Sequence, residues 1–165
     1  MISICFVCLG NICRSPTAEG VMLHLVSERG LEDKIEIDSA GTASYHTGSK
    51  ADGRSASTAR KRGFDLPSRA RQFTQDDFDR FDYVLVMDES NLQDLRLLSG
   101  GHHDDKIHLL LDFDTASPKG SSVPDPYYGG DRGFEHVLDL CTSACESLLE
   151  HLIEEHDLEA APGMA

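Results

Sequence analysis

The sequence has no tryptophan, only six prolines, and 15 lysines and arginines against 29 aspartates and glutamates. No apolar run approaches the roughly 20 residues that a bilayer span needs. The opening Met1-Ile2-Ser3-Ile4-Cys5-Phe6-Val7 lacks the basic flank and cleavage pattern of a signal peptide. A cytoplasmic location without a membrane partner is therefore expected. The formal charge of −14 argues against unspecific binding to nucleic acid or an anionic lipid surface, so any anionic ligand must be held by local groups. Five cysteines, an odd number, do not make the framework of a secreted disulfide scaffold, and reduced thiols are expected. What is present, 165 residues with 39% hydrophobic and 27% charged, suffices for one core. The expectation is a single monomeric domain over residues 1–156 with a disordered tail over 157–165.

Short apolar runs punctuate the chain. Ile2 to Val7 reads as a buried parallel strand and runs directly into Cys8-Leu9-Gly10-Asn11-Ile12-Cys13-Arg14-Ser15. Ser15 followed by Pro16 predicts a helix start, and Ala18, Val21, Met22, Leu25 and Val26 keep helical spacing as far as Arg29-Gly30. Further strands are predicted at Ile35–Asp38, Tyr83–Met87 and Ile107–Leu111. Further helices are predicted at Ser55–Arg62, from Asp88 to Leu98, and through Phe134, Val137, Leu138, Cys141, Cys145, Leu148, Leu149 and Leu152. Strands separated by helices predict an α/β fold with an open parallel sheet covered on both faces, and in such sheets ligands sit beyond the carboxyl ends of the strands. Cys141 and Cys145, four apart, read as small core residues on one helix face. Cys5 and Cys8 match a C-x-x-C spacing, but on a strand an offset of three points them to opposite faces. Arg54, Arg60, Lys61, Arg62, Arg69 and Arg71 are the only basic concentration, readable as a solvated face or as a docking patch for an acidic partner.

The chemistry gathers at the first strand end. A loop wrapping from a strand into a helix N-terminus turns successive backbone N–H groups inward, and the helix dipole adds positive potential at the same place. Such a nest holds a tetrahedral dianion. Arg14 can add a planar bidentate fork to two of its oxygens, and the same field favours a thiolate at Cys8. Gly10 permits close backbone approach, Asn11 tolerates a left-handed kink, and the Ser15 hydroxyl can donate to the sulfur. Leu9, Ile12 and Cys13 complete the loop. Phosphate-ester cleavage needs a proton for the leaving oxygen, for which Asp125 in Asp125-Pro126-Tyr127-Tyr128 is the candidate, the two tyrosines offering a wall for a flat aromatic group. Read without further help, an aspartate such as Asp125 is more often just a turn acid before proline.

Val7-Cys8-Leu9-Gly10-Asn11-Ile12-Cys13-Arg14-Ser15-Pro16, with Asp38-Ser39-Ala40-Gly41 and Asp125-Pro126-Tyr127-Tyr128, resembles the low-molecular-weight protein tyrosine phosphatases over residues 2 to 155. The resemblance implies a flavodoxin-like three-layer sandwich with sheet order 2-1-3-4. It also implies hydrolysis of phosphotyrosine and small aryl phosphate monoesters through a phosphocysteine, without cofactor or metal. Carried over by residue, Cys8 is the nucleophile, Arg14 the phosphate clamp and Asp125 the general acid and base. Asn11, Ser15 and Ser39 match a network that supports the loop, and Tyr45 joins Tyr127 and Tyr128 along the cleft; these last two match tyrosines phosphorylated in some relatives. Cys13 resembles a second loop cysteine that closes a disulfide with Cys8 under peroxide. Ile12, where the phosphoarginine-directed branch has threonine, favours the tyrosine-directed one. Ser68-Arg69 stand before Ala70-Arg71-Gln72, where the family often has a histidine in the loop network. His46 reads as a rim contact or a solvated loop residue.

Two other readings remain at this stage. A thiol-dependent arsenate reductase shares the fold and the Cys-x5-Arg cradle but needs relay cysteines near the cleft. A phosphotyrosine-binding module without activity would not need the full Cys8, Arg14 and Asp125 set.

Overall fold

Each short apolar run becomes a strand of one sheet: β1 (Ile2–Cys8), β2 (Ile35–Gly41), β3 (Tyr83–Val86) and β4 (Ile107–Leu109). The computed structural model describes residues 1–126 and 131–160. Within them the strands pair in the order β2-β1-β3-β4, all parallel, which is the topology the resemblance implies. The helices are α1 (Arg14–Glu28), α2 (Gly53–Lys61), α3 (Gln75–Arg80), α4 (Glu89–Ser99) and α5 (Asp131–His156). None among the described residues is long and apolar enough to cross a membrane.

Alternation along β1 divides the core. Ile4, Phe6 and Cys8 face α1 and α5, whereas Cys5 and Val7 face Phe73, Phe78, Phe81 and Leu95. Cys5 and Cys8 therefore belong to opposite faces. Cys141 and Cys145 are fully buried on α5, and the Cys145 thiol donates to Ala18 O at 3.6 Å. Burial pushes both thiols up, Cys141 to about 12.

Several boundaries depart from expectation. The α1 helix begins at Arg14, with Cys13 rather than Ser15 in the capping position, because Thr17 N–H already reaches Cys13 O. Pro16 is accepted in the first turn, where its missing N–H has no intrahelical partner. The β2 strand continues through Ser39-Ala40-Gly41 in register with Phe6-Val7-Cys8. The β4 strand stops at Leu109, and Leu110–Asp112 coil into a 3-10 turn. Beyond α5, Asp157 takes a left-handed φ of 53° and Leu158 N–H returns to Ile153 O at 3.0 Å.

No periodic signal marks α3, whose six residues are mostly charged. Its signal is Thr74-x-x-Asp77: the backbone N–H and hydroxyl of Thr74 both donate to Asp77 Oδ2, at 2.8 and 3.4 Å. Arg71 also donates to both Asp77 oxygens, at 3.0 and 3.2 Å. Burial would raise the Asp77 pKa, but these donors outweigh it and hold the group below the ordinary carboxylate value. A carboxyl depressed in the folded state adds stability that is complete above the unfolded value, about 3.9, and is lost as pH falls through the folded value. Asp77→Asn is thus expected to lower unfolding free energy at neutral pH by about 1–3 kcal/mol. It should also flatten the loss of stability below about pH 4. Urea unfolding across pH checks both, and an unchanged acid limb would count against the pairing.

Candidate active site

The end of β1 lies between β2 and β3, where the connections leave in opposite directions and open a crevice. The segment after Cys8 wraps this crevice in a defined sense. Its carbonyls turn outward into the protein: Cys8 O accepts from Thr42 N–H, Leu9 O from Ala43, Ile12 O from Asp52 and Cys13 O from Thr17. Among the described residues, no backbone N–H from Leu9 to Cys13 donates to a protein acceptor. The amides are thus left for a ligand, and Arg14 heads the helix behind them. The resulting cleft, about 320 Å³, is lined by Cys8, Leu9, Gly10, Ile12, Cys13, Arg14, Tyr45, His46 and Asp125.

The wrap depends on Asn11, whose φ of 57° is left-handed. Its side chain is fully used. Nδ2 donates to Ser15 Oγ at 2.8 Å and to Ser39 Oγ at 3.0 Å, and Oδ1 accepts from Arg71 N–H at 3.0 Å. Because Ser15 Oγ accepts from Asn11, its single hydrogen remains for another acceptor. Cys8 Sγ stands at 3.1 Å, closer than Ala40 O at 3.4 Å. A hydroxyl held this way can donate to the sulfur.

Two residues here escaped sequence reasoning. Glu19, one turn beyond Ser15 on α1, is buried and accepts from Ser39 Oγ at 2.6 Å. Burial raises its pKa, against hydrogen bonds from Ser39 and Ser68. Ser68 Oγ is 3.4 Å from Ser39 Oγ, so Ser68 enters the network. Asp88, read only as helix-start chemistry, takes Arg14 Nη1 at 2.6 Å while its other oxygen caps α4 through Asn91 N–H. Arg14 is 3% exposed, also donates to Val123 O at 2.9 Å and has Nη2 3.8 Å from Asp125 Oδ2. Burial opposes its charge, but Cys8, Asp88 and Asp125 outweigh burial and raise its pKa.

Around the rim, Tyr45 is 77% exposed and Asp125 43% exposed. His46 fills the space beside Gly10, where an added Cβ would lie 2.9 Å from its Cδ2. Cys13 is buried, and burial raises its thiol to about 12 despite a hydrogen bond with Ser55. Tyr127 and Tyr128 lie outside the described residues. Among the described residues, no group of three or more His, Cys, Asp or Glu is arranged to hold a metal ion.

The sequence profile described as low molecular weight phosphotyrosine protein phosphatase matches residues 3–158. The chain belongs to this family. Its similarity to the chicken low molecular weight phosphotyrosine protein phosphatase is 46% identity, covering 90% of this chain and 94% of that protein. A Streptomyces coelicolor low molecular weight protein-tyrosine-phosphatase is 43% identical, covering 96% and 98%. The crystal structure of a protein tyrosine phosphatase from Entamoeba histolytica, with Hepes in its active site, superposes with a TM-score of 0.89 at 42% identity, covering 96% of this chain and all of that one.

In this member of the phosphatase family, the tightest backbone approach at the active-site loop is at Gly41, opposite Cys8 in the sheet. A Cβ there would stand 2.7 Å from Leu9 O, 3.1 Å from Ala43 O and 3.2 Å from Asn11 N, all backbone atoms that cannot swing aside. Gly41→Ala is expected to displace the loop, lowering kcat/KM at least about tenfold at a stability cost of about 1–3 kcal/mol. Gly53→Ala, with nothing within 4 Å, is the matched control. Equal kinetics in the two variants would show that the close approach is unimportant.

Proposed function

We propose that the protein hydrolyses phosphotyrosine in proteins, and small aryl phosphates, through a covalent phosphocysteine. The reading is carried by the outward carbonyls and unpaired amides from Leu9 to Cys13, which with Arg14 surround Cys8 Sγ. The Cys8 thiolate attacks phosphorus in line, forming the S–P bond as the P–O bond to the aryl group breaks. Asp125, across the rim from Arg14, gives its proton to the departing oxygen. Asp125 then takes a proton from water as that water attacks phosphorus, the S–P bond breaks, and Cys8 leaves as thiolate. Arg14 and the loop amides stabilise the charge on the equatorial oxygens throughout. Leu9, Ile12 and Tyr45 flank the aromatic ring at the mouth, and Asn11, Ser15 and Ser39 hold the cradle. The direct experiment is hydrolysis of an aryl phosphate by the reduced protein with a chelator present. Absence of turnover would overturn the reading and make arsenate the next substrate to try, although Cys141 and Cys145, the cysteines that such chemistry would recruit, are fully buried.

The cleft also carries a redox proposal. Peroxide oxidises Cys8 first, since burial keeps Cys13 as the thiol. Condensation of the Cys8 sulfenic acid with Cys13 then releases water and forms a disulfide that dithiol reduces. Native protein is expected to recover nearly all activity after peroxide and dithiol, and Cys13→Ser at least about fivefold less. Equal recovery would eliminate Cys13 as the partner.

A further inference from the structure

Beside the cleft lies a second groove of about 550 Å³, between the start of α2 and the start of α5. Its walls are rooted in those of the cleft. Asp52 on one wall donates its N–H to Ile12 O at 2.7 Å. On the other wall Gly133, between Arg132 and Phe134, packs against Pro126, the residue after Asp125; a Cβ on Gly133 would lie 3.4 Å from Pro126 Cβ. A peptide whose phosphotyrosine enters the cleft therefore has this groove within reach of its neighbouring residues.

The charge of the groove is opposite to that of the chain. Its carboxylates are already engaged: Asp52 accepts from the backbone N–H groups of Arg54 and Ser55 and from the Arg54 guanidinium, and Glu135 takes Arg62 at 2.5 Å. Arg54 also lies over the Phe134 ring at 4.6 Å, which fixes one side of the groove. Among the described residues Lys61 and Arg132 have no carboxylate partner, and both are exposed. Most other members of the basic stretch are occupied in the fold: Arg62 bridges Glu135 and Asp139, Arg71 bridges Asp38 and Asp77, and Arg69 donates to Gly48 O. Lys61 and Arg132 thus bring positive charge without a carboxylate partner to the groove next to the catalytic cleft. The formal charge of −14 opposes long-range capture of any acidic partner. Attraction acts only at short range, once the phosphotyrosine is seated, and so selects among substrates.

We infer that this groove is a subsite for acidic residues flanking the phosphotyrosine of a protein substrate, read by Lys61 and Arg132. The inference rests on the proposed phosphatase activity and adds a substrate preference to it.

The test compares two phosphotyrosine peptides, one flanked by glutamates and one by glutamines, with a small aryl phosphate as reference. Native protein is expected to prefer the acidic peptide by about three- to tenfold in kcat/KM, mostly through KM, at low ionic strength. The doubly reversed variant Lys61→Glu, Arg132→Glu should lose or invert that preference while keeping aryl phosphate turnover within about twofold. If the variant misfolds and loses aryl phosphate turnover, the native protein decides alone: its peptide preference must shrink as salt rises. Normal aryl phosphate turnover with no flank preference, a preference insensitive to salt, or one that survives the double reversal would overturn the subsite. No aryl phosphate turnover by native protein would overturn the phosphatase reading and the subsite with it.

Discussion

Cys8→Ser is expected to lose aryl phosphate turnover by at least about 10⁴-fold, because a serine hydroxyl in the same cradle is neither ionised nor a comparable leaving group. Phosphate affinity should survive, since the unpaired amides from Leu9 to Cys13 and the Arg14 fork are unchanged. Stopped assays of turnover beside equilibrium phosphate binding separate the two quantities. Asp125→Ala acts differently. It is expected to lower kcat by about 10²–10³-fold and to leave KM nearly unchanged. The deficit should be larger for phenyl phosphate than for an aryl phosphate whose phenolate leaves without help. A deficit independent of the leaving group would show that Asp125 does not deliver the proton. Full activity of Cys8→Ser would exclude the phosphocysteine altogether.

Arg14→Lys is expected to lower kcat/KM by about 10²–10³-fold, although the charge is kept. The guanidinium serves several partners at once: one nitrogen binds Asp88 and Val123 O, leaving its other edge toward the anion and Asp125. An ammonium is a point charge on a shorter stem and cannot reproduce that planar arrangement. Asp88→Asn isolates the positioning half of this argument, because asparagine still caps α4 but no longer carries the opposing charge. It is expected to cost about tenfold in kcat/KM. If Asp88→Asn were as damaging as Arg14→Lys, Asp88 would be more than a brace. If it were silent, the cradle would hold Arg14 without it.

The linear order of residues was enough for the sheet and for the centre of the site. Buried parallel strands need continuous apolar runs, and Ile2–Val7, Tyr83–Met87 and Ile107–Leu111 announce themselves this way. Cys8, Arg14 and Ser15 share one loop, so their spacing carries their geometry. The ends of elements were less legible, because competing hydrogen bonds decide them: Thr17 on Cys13 O starts α1 early, and pairing with β1 draws Ser39-Ala40-Gly41 into β2. The short α3 helix lacks periodicity and is held by Asp77 and the burial of Phe78.

What the sequence determined by itself is a strand, a turn with unpaired amides and a helix start, with cysteine at one end and arginine at the other, since a local backbone path follows from local residue types. Only the tertiary structure decided what surrounds them. Asp88 is 74 residues from Arg14, and Asn11 meets Ser39 and Arg71 across 28 and 60. No local spacing encodes such contacts; they arise because parallel strands bring their carboxyl ends to one edge of the sheet. The same packing closes half of the basic stretch, Arg54, Arg62 and Arg71, into ion pairs and leaves Lys61 and Arg132 facing a groove. That sorting is a property of packing, which a list of charges along the chain does not contain.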